Sequence, residues 1–296
     1  MRERFLDKNF SAQRLALIET LNGIIADYQR QGYVLSLRQL YYQMVARDLI
    51  ENTVLSYKRL GDVVSDARLA GLIDWAMIED RGRETVNPPM WDSPAQIVQA
   101  AAEQFAIDRW KDQENHVEIC VEKAALEGVL IPVCRERGVR FTANRGYSSQ
   151  SAMYEMGKRM EQMRHQGKNV FVLYLGDHDP SGIDMTRDVR ERLQMFSRGR
   201  LKVDRLALNM DQVEEWSPPE NPAKTTDSRY SQYMLQFGES SWELDAIEPA
   251  TLGRLVRNAI NSLMDKEVYD EAVAREQRMK DRLLEFAESY NENDEK

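Results

Sequence analysis

The chain has 296 residues, 42% of them apolar, and a formal charge of −9. That length suits one large domain or two smaller ones around a real core, and the acidic balance speaks against a simple nucleic-acid coat. Residues 1–84 are neutral, with 12 Lys+Arg against 12 Asp+Glu, so the first part can still carry a basic face.

Ser11–Gln31 reads as an amphipathic helix with Ser11 as its cap and Leu15, Ile18, Leu21, Ile24 and Ile25 on one face. Ser36–Ala46, SLRQLYYQMVA, is a second helix. Asn52 or Thr53 caps a third, which runs through Tyr57, Leu60, Val63, Val64 and Ala67 to about Ala70. Trp75–Glu79 reads as a short strand and Asp80–Arg83 as a turn. Three helices and a strand in this order follow the winged helix-turn-helix plan. Lys58, Arg59 and Arg68 on the third helix are then candidate DNA contacts. The plainer reading is a helical bundle with ordinary surface charge. Asn87–Pro94, NPPMWDSP, breaks the pattern and marks a domain boundary, and Ala95–Asp112 reads as a helix.

The next part alternates. Strands are expected at Val117–Val121, Val139–Thr142, Val170–Leu175 and Val203–Leu208, and helices at Ala124–Arg137, Ser149–His165 and Ile183–Phe196. Such alternation predicts an α/β fold with a parallel, doubly wound sheet. Cys120 and Cys134 match no metal or redox spacing and read as buried, reduced thiols. Trp216–Ser228 reads as a loop, Ser231–Phe237 as a short helix and Trp242–Ile247 as an extended segment. One long helix is expected from Pro249 to about Ser289, with NENDEK disordered beyond it. There is no apolar run of membrane length, which predicts a soluble, cytoplasmic protein.

Two stretches carry chemistry. Val170–Met185, VFVLYLGDHDPSGIDM, is a buried strand followed by Asp177 and Asp179 at a tight turn. Strand alternation would point both carboxylates one way and His178 the other. Glu122 ends the strand HVEICVEK and would lie on the same sheet edge. Three carboxylates without a Cys or His cluster suit Mg²⁺, or Mn²⁺, rather than zinc. Solvated turn carboxylates are the plain alternative.

In LRQLYYQM, Leu37, Leu40, Tyr41 and Met44 share a helix face, so Tyr41 belongs to the core. Tyr42 falls off that stripe beside Arg38. A phenol has a pKa near ~10, so attack on a phosphodiester needs a base or positive charge, and Arg38 would favour the phenolate. From pattern alone, an amphipathic tyrosine at an interface is the favoured reading.

These stretches together resemble the type IIB DNA topoisomerase A subunit family, which includes the topoisomerase VI A subunit and the meiotic double-strand-break protein. LRQLYYQM is similar to its catalytic-tyrosine motif, VEKAALEGVL to its Toprim glutamate motif, TANRGYSS to the strand-loop that follows, and LGDHDPSGIDM to its Asp–x–Asp motif, in the same order. The resemblance implies a winged-helix domain over residues 1–88 and a linker helix over 89–112. It implies a Toprim-type, Rossmann-like domain over 113–212 and a C-terminal helical extension over 213–296. It implies Tyr42 as nucleophile, Arg38 as its partner, and Glu122, Asp177 and Asp179 as Mg²⁺ ligands. Lys123 and Gly146, within the matched motifs, join the candidate DNA contacts. A nucleoid-associated homodimer with active sites shared between chains would cut double-stranded DNA and leave 5′-phosphotyrosyl ends. No nucleotide-binding glycine motif stands out, so ATP-driven strand passage would need a separate ATPase subunit. His178 and Ser181 depart from the usual motif, and no family motif follows Leu208. Two other readings stand beside this one: a Toprim metal-dependent hydrolytic nuclease, and a non-catalytic winged-helix regulator.

Overall fold

A computed structural model describes residues 2–79, 90–144 and 150–294. Among these, the chain opens with α1 (Ala12–Arg30), β1 (Leu35–Ser36), α2 (Leu37–Val45) and α3 (Val54–Leu69). Each helix begins at a hydroxyl cap: the side chains of Ser11, Ser36 and Thr53 accept the N–H groups of Arg14, Gln39 and Ser56. Gln39 returns the bond to the Ser36 N–H at 2.8 Å, closing a capping box. Ile18, Leu21, Ile24 and Ile25 are buried as expected, but Leu15 is exposed. The helix face therefore turns toward Tyr28, which is buried against α2 through a 2.6 Å bond to Gln43.

The strand expected at Trp75–Glu79 shrinks to β2 (Ile78–Glu79), which pairs in parallel with β1. Asp74 accepts the Ala76 N–H and winds Trp75–Met77 into a 3-10 turn instead. The turn expected at Asp80–Arg83, and residues 87–89 of the proline break, lie outside the described residues. Helix α4 (Pro94–Gln104) ends well short of Asp112. The chain must turn there to seat Trp110, whose indole N–H donates to the Arg137 carbonyl at 2.7 Å.

The core of the second part is an all-parallel sheet of β3 (Asn115–Val121), β4 (Arg140–Ala143), β5 (Asn169–Leu175) and β6 (Lys202–Ala207). Its order is β4-β3-β5-β6. Helices α5 (Glu127–Arg137), α6 (Gln150–His165) and α7 (Pro180–Phe196) connect the strands. Strand alternation divides the core in two. Val117, Ile119, Val121, Leu173 and Leu175 pack with α5 on one face. Cys120, Val172 and Tyr174 pack with the methionines of α6 and with Val189 and Leu193 of α7 on the other. The helices on both faces make the sheet doubly wound. Each fully buried aliphatic side chain contributes about 1.5–3 kcal/mol, so Leu173→Ala would cost about 2–5 kcal/mol.

After β6 come α8 (Met210–Trp216), β7 (Asn221–Pro222), α9 (Tyr230–Phe237) and β8 (Ser240–Ser241). The expected loop at Trp216–Ser228 thus contains a strand, β7, paired antiparallel with β8. Only Trp242, bridged to His178, keeps extended pairing in Trp242–Ile247; Leu244–Ala246 is a 3-10 turn. The single helix expected from Pro249 is two, α10 (Pro249–Ser262) and α11 (Lys266–Asp294). The first ends at its cap residue Leu263, and Asp265 caps the second, accepting the N–H groups of Glu267 and Val268, while Gln113 holds the Asp265 backbone at both its N–H and its carbonyl. Helix α11 continues to Asp294, through most of NENDEK. No helix among the described residues is long and apolar enough to cross a membrane.

Strand order fixes where chemistry can gather. The chain leaves β3 toward β4 and leaves β5 toward β6, in opposite directions, so a crevice opens between the carboxyl ends of β3 and β5.

Candidate functional site

Glu122 stands at that crevice, just past β3, with its N–H on the Leu175 carbonyl at 2.9 Å. Its Oε2 accepts the Asp177 N–H at 2.9 Å. Gly176 permits this approach, because a Cβ there would lie 2.8 Å from Glu122 Oε2 and 2.9 Å from the Tyr174 ring. Strand β5 ends at Leu175, so alternation does not extend to the two aspartates. Their directions come from the turn. Asp177 faces Lys123 Nζ at 2.6 Å and the Leu244 N–H at 2.9 Å. Asp179 caps α7, accepting the Gly182 N–H at 2.6 Å and the Ser181 hydroxyl at 3.0 Å. A Cβ on Gly182 would collide with the Asp177 carbonyl oxygen. His178 points away into a ring of Tyr233, Phe237 and Trp242.

The carboxylates are crowded. Burial and the Asp177 charge push Glu122 up to about 7. Burial also raises Asp177, against the pull of Lys123. Burial works to lower the Lys123 ammonium, but Asp177, Asp245 and Glu243 outweigh it and hold it above the usual lysine value.

Helix α2 supplies the other wall. Tyr41 is tied into the core, its hydroxyl 2.9 Å from Asn52 Oδ1. Tyr42 is also buried, at 3% exposure, and its hydroxyl accepts from Asn221 Nδ2 at 3.4 Å. The helix is buried more widely than its apolar stripe predicts because the Leu244–Ala246 turn packs on it. Arg38 is bound by both oxygens of Glu243 and lies 3.5 Å from Asp245. Arg38 acts on the Tyr42 phenol in the expected direction, favouring the phenolate, but it is outweighed. Burial, then the Glu243 charge, raises the Tyr42 phenol, and the Asn221 bond and Arg38 offset this only in part.

A cleft of about 700 Å³ is lined by Tyr42, Arg38, Glu122, Lys123, Asp177 and Asp179, among others. No protein-family model matches the chain, and no curated protein matches it. The fold and this cleft therefore carry the functional reading.

The candidate DNA contacts fare differently. Lys58 and Arg59 are exposed on α3, outside the cleft lining. Arg68 braces the chain: it donates to the carbonyls of Trp75 and Ile78, and its guanidinium stands 5.4 Å over the Trp75 ring. Lys123 neutralises Asp177 and Glu243 within the chain. Gly146 lies outside the described residues.

Glu243, Asp245, Asn221 and Arg205 join the site without a sequence signal. Arg205 holds the turn by donating to the carbonyls of Gly176, Asp177, Gly182 and Leu208. Asp245 is 1% exposed, neither of its oxygens has a hydrogen-bond partner among the described residues, and burial pushes it up to about 6 against Lys123.

Among the described residues, no group of three His, Cys, Asp or Glu side chains forms a ready metal cage. Asp177 spends both oxygens on Lys123 and Leu244. Glu122 and Asp179 each use one oxygen in hydrogen bonds among the described residues. Mg²⁺ commonly takes one or two carboxylates and keeps several waters, so Glu122 and Asp179 fit it as a water-rich site. The three-carboxylate cage does not fit as built.

Proposed function

We propose that the chain is a type IIB topoisomerase-like enzyme that cleaves double-stranded DNA by tyrosine transesterification. One observation carries this reading: Tyr42 and Arg38 of α2 line the same cleft as Glu122, Asp177 and Asp179 at the switch point of the sheet. In this reading α1–α3 with β1 and β2 form a winged-helix part, and β3–β6 form a Toprim-type part. The Tyr42 hydroxyl oxygen bonds to phosphorus and gives its proton to solvent, while the P–O3′ bond breaks and the 3′ oxygen takes a proton from solvent to leave as a free 3′ hydroxyl. The 5′ phosphate stays on the tyrosine, so the ester bond is conserved for religation. Arg38 binds a non-bridging phosphate oxygen and steadies the phenolate. Arg205 and the Asp179 cap hold the acidic turn rigid. Mg²⁺ on Glu122 and Asp179 would supply the positive charge that the phosphoryl group needs. A double-strand break requires two sites, hence a homodimer, and strand passage would require a separate ATPase subunit. Sharing sites between chains is not needed to bring Tyr42 into a cleft with the acids.

The test is a plasmid cleavage reaction with Mg²⁺ or Mn²⁺, stopped with denaturant. Protein-linked linear DNA is expected from the wild type and none from Tyr42→Phe. If Tyr42→Phe cuts as well as the wild type, transesterification is wrong.

A hydrolytic nuclease is the second reading, favoured by one feature. Glu122, near 7, is poised as a general base for water, whereas the Tyr42 phenol is raised. It predicts free DNA ends, lost in Asp177→Ala and kept in Tyr42→Phe. DNA binding with no cleavage in either metal would leave the regulator reading.

A further inference from the structure

Arg38 and Lys123 come from separate elements, yet one carboxylate holds both. Glu243 accepts from Arg38 through both oxygens, and Lys123 Nζ lies 3.1 Å from Glu243 Oε2. Both oxygens of that anion meet one guanidinium nitrogen, Arg38 Nη2, and one of them also meets the lysine, so a phosphate with its two non-bridging oxygens has the charge and shape to take the same place.

We propose that the space between Arg38 and Lys123 is a phosphodiester-binding seat closed by the Glu243 side chain, and that Asp245 is the fixed counter-ion that keeps Arg38 aimed at it when Glu243 leaves. The proposal rests on the reading of DNA as substrate and names the residues that admit it.

The two acids differ in the way these roles require. The Glu243 side chain is 24% exposed and that of Asp245 is 1% exposed. The residues flanking Glu243 are pinned: Trp242 bridges to His178, and the Leu244 N–H donates to Asp177 at 2.9 Å. Opening is therefore a rotation of one side chain, with the backbone held. Asp245 is the independent sign of a missing interaction. A buried carboxylate with no hydrogen bond among the described residues is costly, and its cation, Arg38 Nε, stands 3.5 Å away while Glu243 takes Nη2 of the same guanidinium. The cleft lining holds Arg38, Lys123 and Lys224 against Glu122, Asp177, Asp179 and Glu243. With Glu243 withdrawn, cations and carboxylates in that lining are equal in number, and the repulsion of an incoming phosphate falls.

The test measures binding of a short labelled DNA duplex to the full chain, without divalent cation, across a salt series. Glu243→Gln should bind about tenfold tighter at low salt, because it frees a charge-assisted seat. The slope of log affinity against log salt should steepen by about 1–2, as Arg38 and Lys123 meet phosphate. Asp245→Asn removes the same formal charge but leaves Glu243 seated, so it should bind no tighter than the wild type. Glu243→Asp, too short to span both cations, should fall between wild type and Glu243→Gln and serves if the glutamine variant does not fold. No gain in Glu243→Gln, or an equal gain in Asp245→Asn, overturns the proposal. Tighter binding without any Tyr42 adduct in the plasmid assay would uphold the seat and sink transesterification. An adduct from the wild type without tighter binding in Glu243→Gln would do the reverse.

Discussion

Glu118 and Glu122 stand four residues apart on β3 and its exit, and both are buried. Glu118 is 0% exposed, with Arg159 at 3.0 and 3.3 Å and His116 Nε2 at 3.2 Å. Burial works to raise its carboxyl, but His116 and Arg159 outweigh burial and hold it below the usual range. Glu122 has one backbone N–H and a neighbouring aspartate, and it is held above that range. The first charge is fully answered inside the fold. The second is left short of positive charge, in a cleft. A buried charge that serves structure is neutralised locally; one left in excess marks where a cation or substrate belongs.

The largest test of this contrast is Arg159→Ala. It strands Glu118 inside the sheet and should cost about 3 kcal/mol, near the low end for a broken buried pair because Arg159 is a third exposed. Urea unfolding measures it; a change near zero would mean that Glu118 is not a structural charge.

The next test uses pH. The Glu122 value is raised on folding, so the folded chain holds its proton up to about 7, while an unfolded glutamate loses it near ~4.3. Its contribution is full below the unfolded value and is lost as pH rises through about 7. Wild-type stability should fall by up to about 3 kcal/mol over that window. Glu122→Gln should abolish the fall, and at pH 8 it should be more stable than the wild type. Glu118 has the opposite sign: its contribution is present above the unfolded value and lost as pH drops below it. Saturating Mg²⁺ at pH 8 should raise the melting temperature of the wild type but not of Glu122→Gln with Asp179→Asn. An equal rise in both would place the ion elsewhere.

The smallest effect sharpens the role of Asp179, which is a cap as well as a candidate ligand. Asp179→Ala should cost about 1 kcal/mol and Asp179→Asn only a few tenths, since asparagine also caps. Equal losses in chemical denaturation would show that charge, rather than the cap, holds the turn.

Much of this site was legible in the residues. The caps at Ser11, Ser36 and Thr53 and the four apolar strands are local signals, and strand ends followed by acids placed Glu122, Asp177 and Asp179 at one sheet edge. Glu243 and Asp245 were not legible, because no periodic pattern marks Trp242–Ile247 and the contact of Glu243 with Arg38 spans 205 residues. The break between α10 and α11 escaped because it depends on Gln113, far away in sequence. The raised Tyr42 phenol escaped for the same reason: the Leu244–Ala246 turn that packs on its helix and the Glu243 charge that raises it come from the chain beyond the sheet.

Cys120 and Cys134 are both buried, and burial pushes each thiol up to about 12. At neutral pH neither presents the thiolate that labelling reagents attack. The native chain is thus chemically silent toward maleimides. A single cysteine placed at exposed Lys224, on the cleft rim, would carry a fluorophore alone and report opening of that rim in real time.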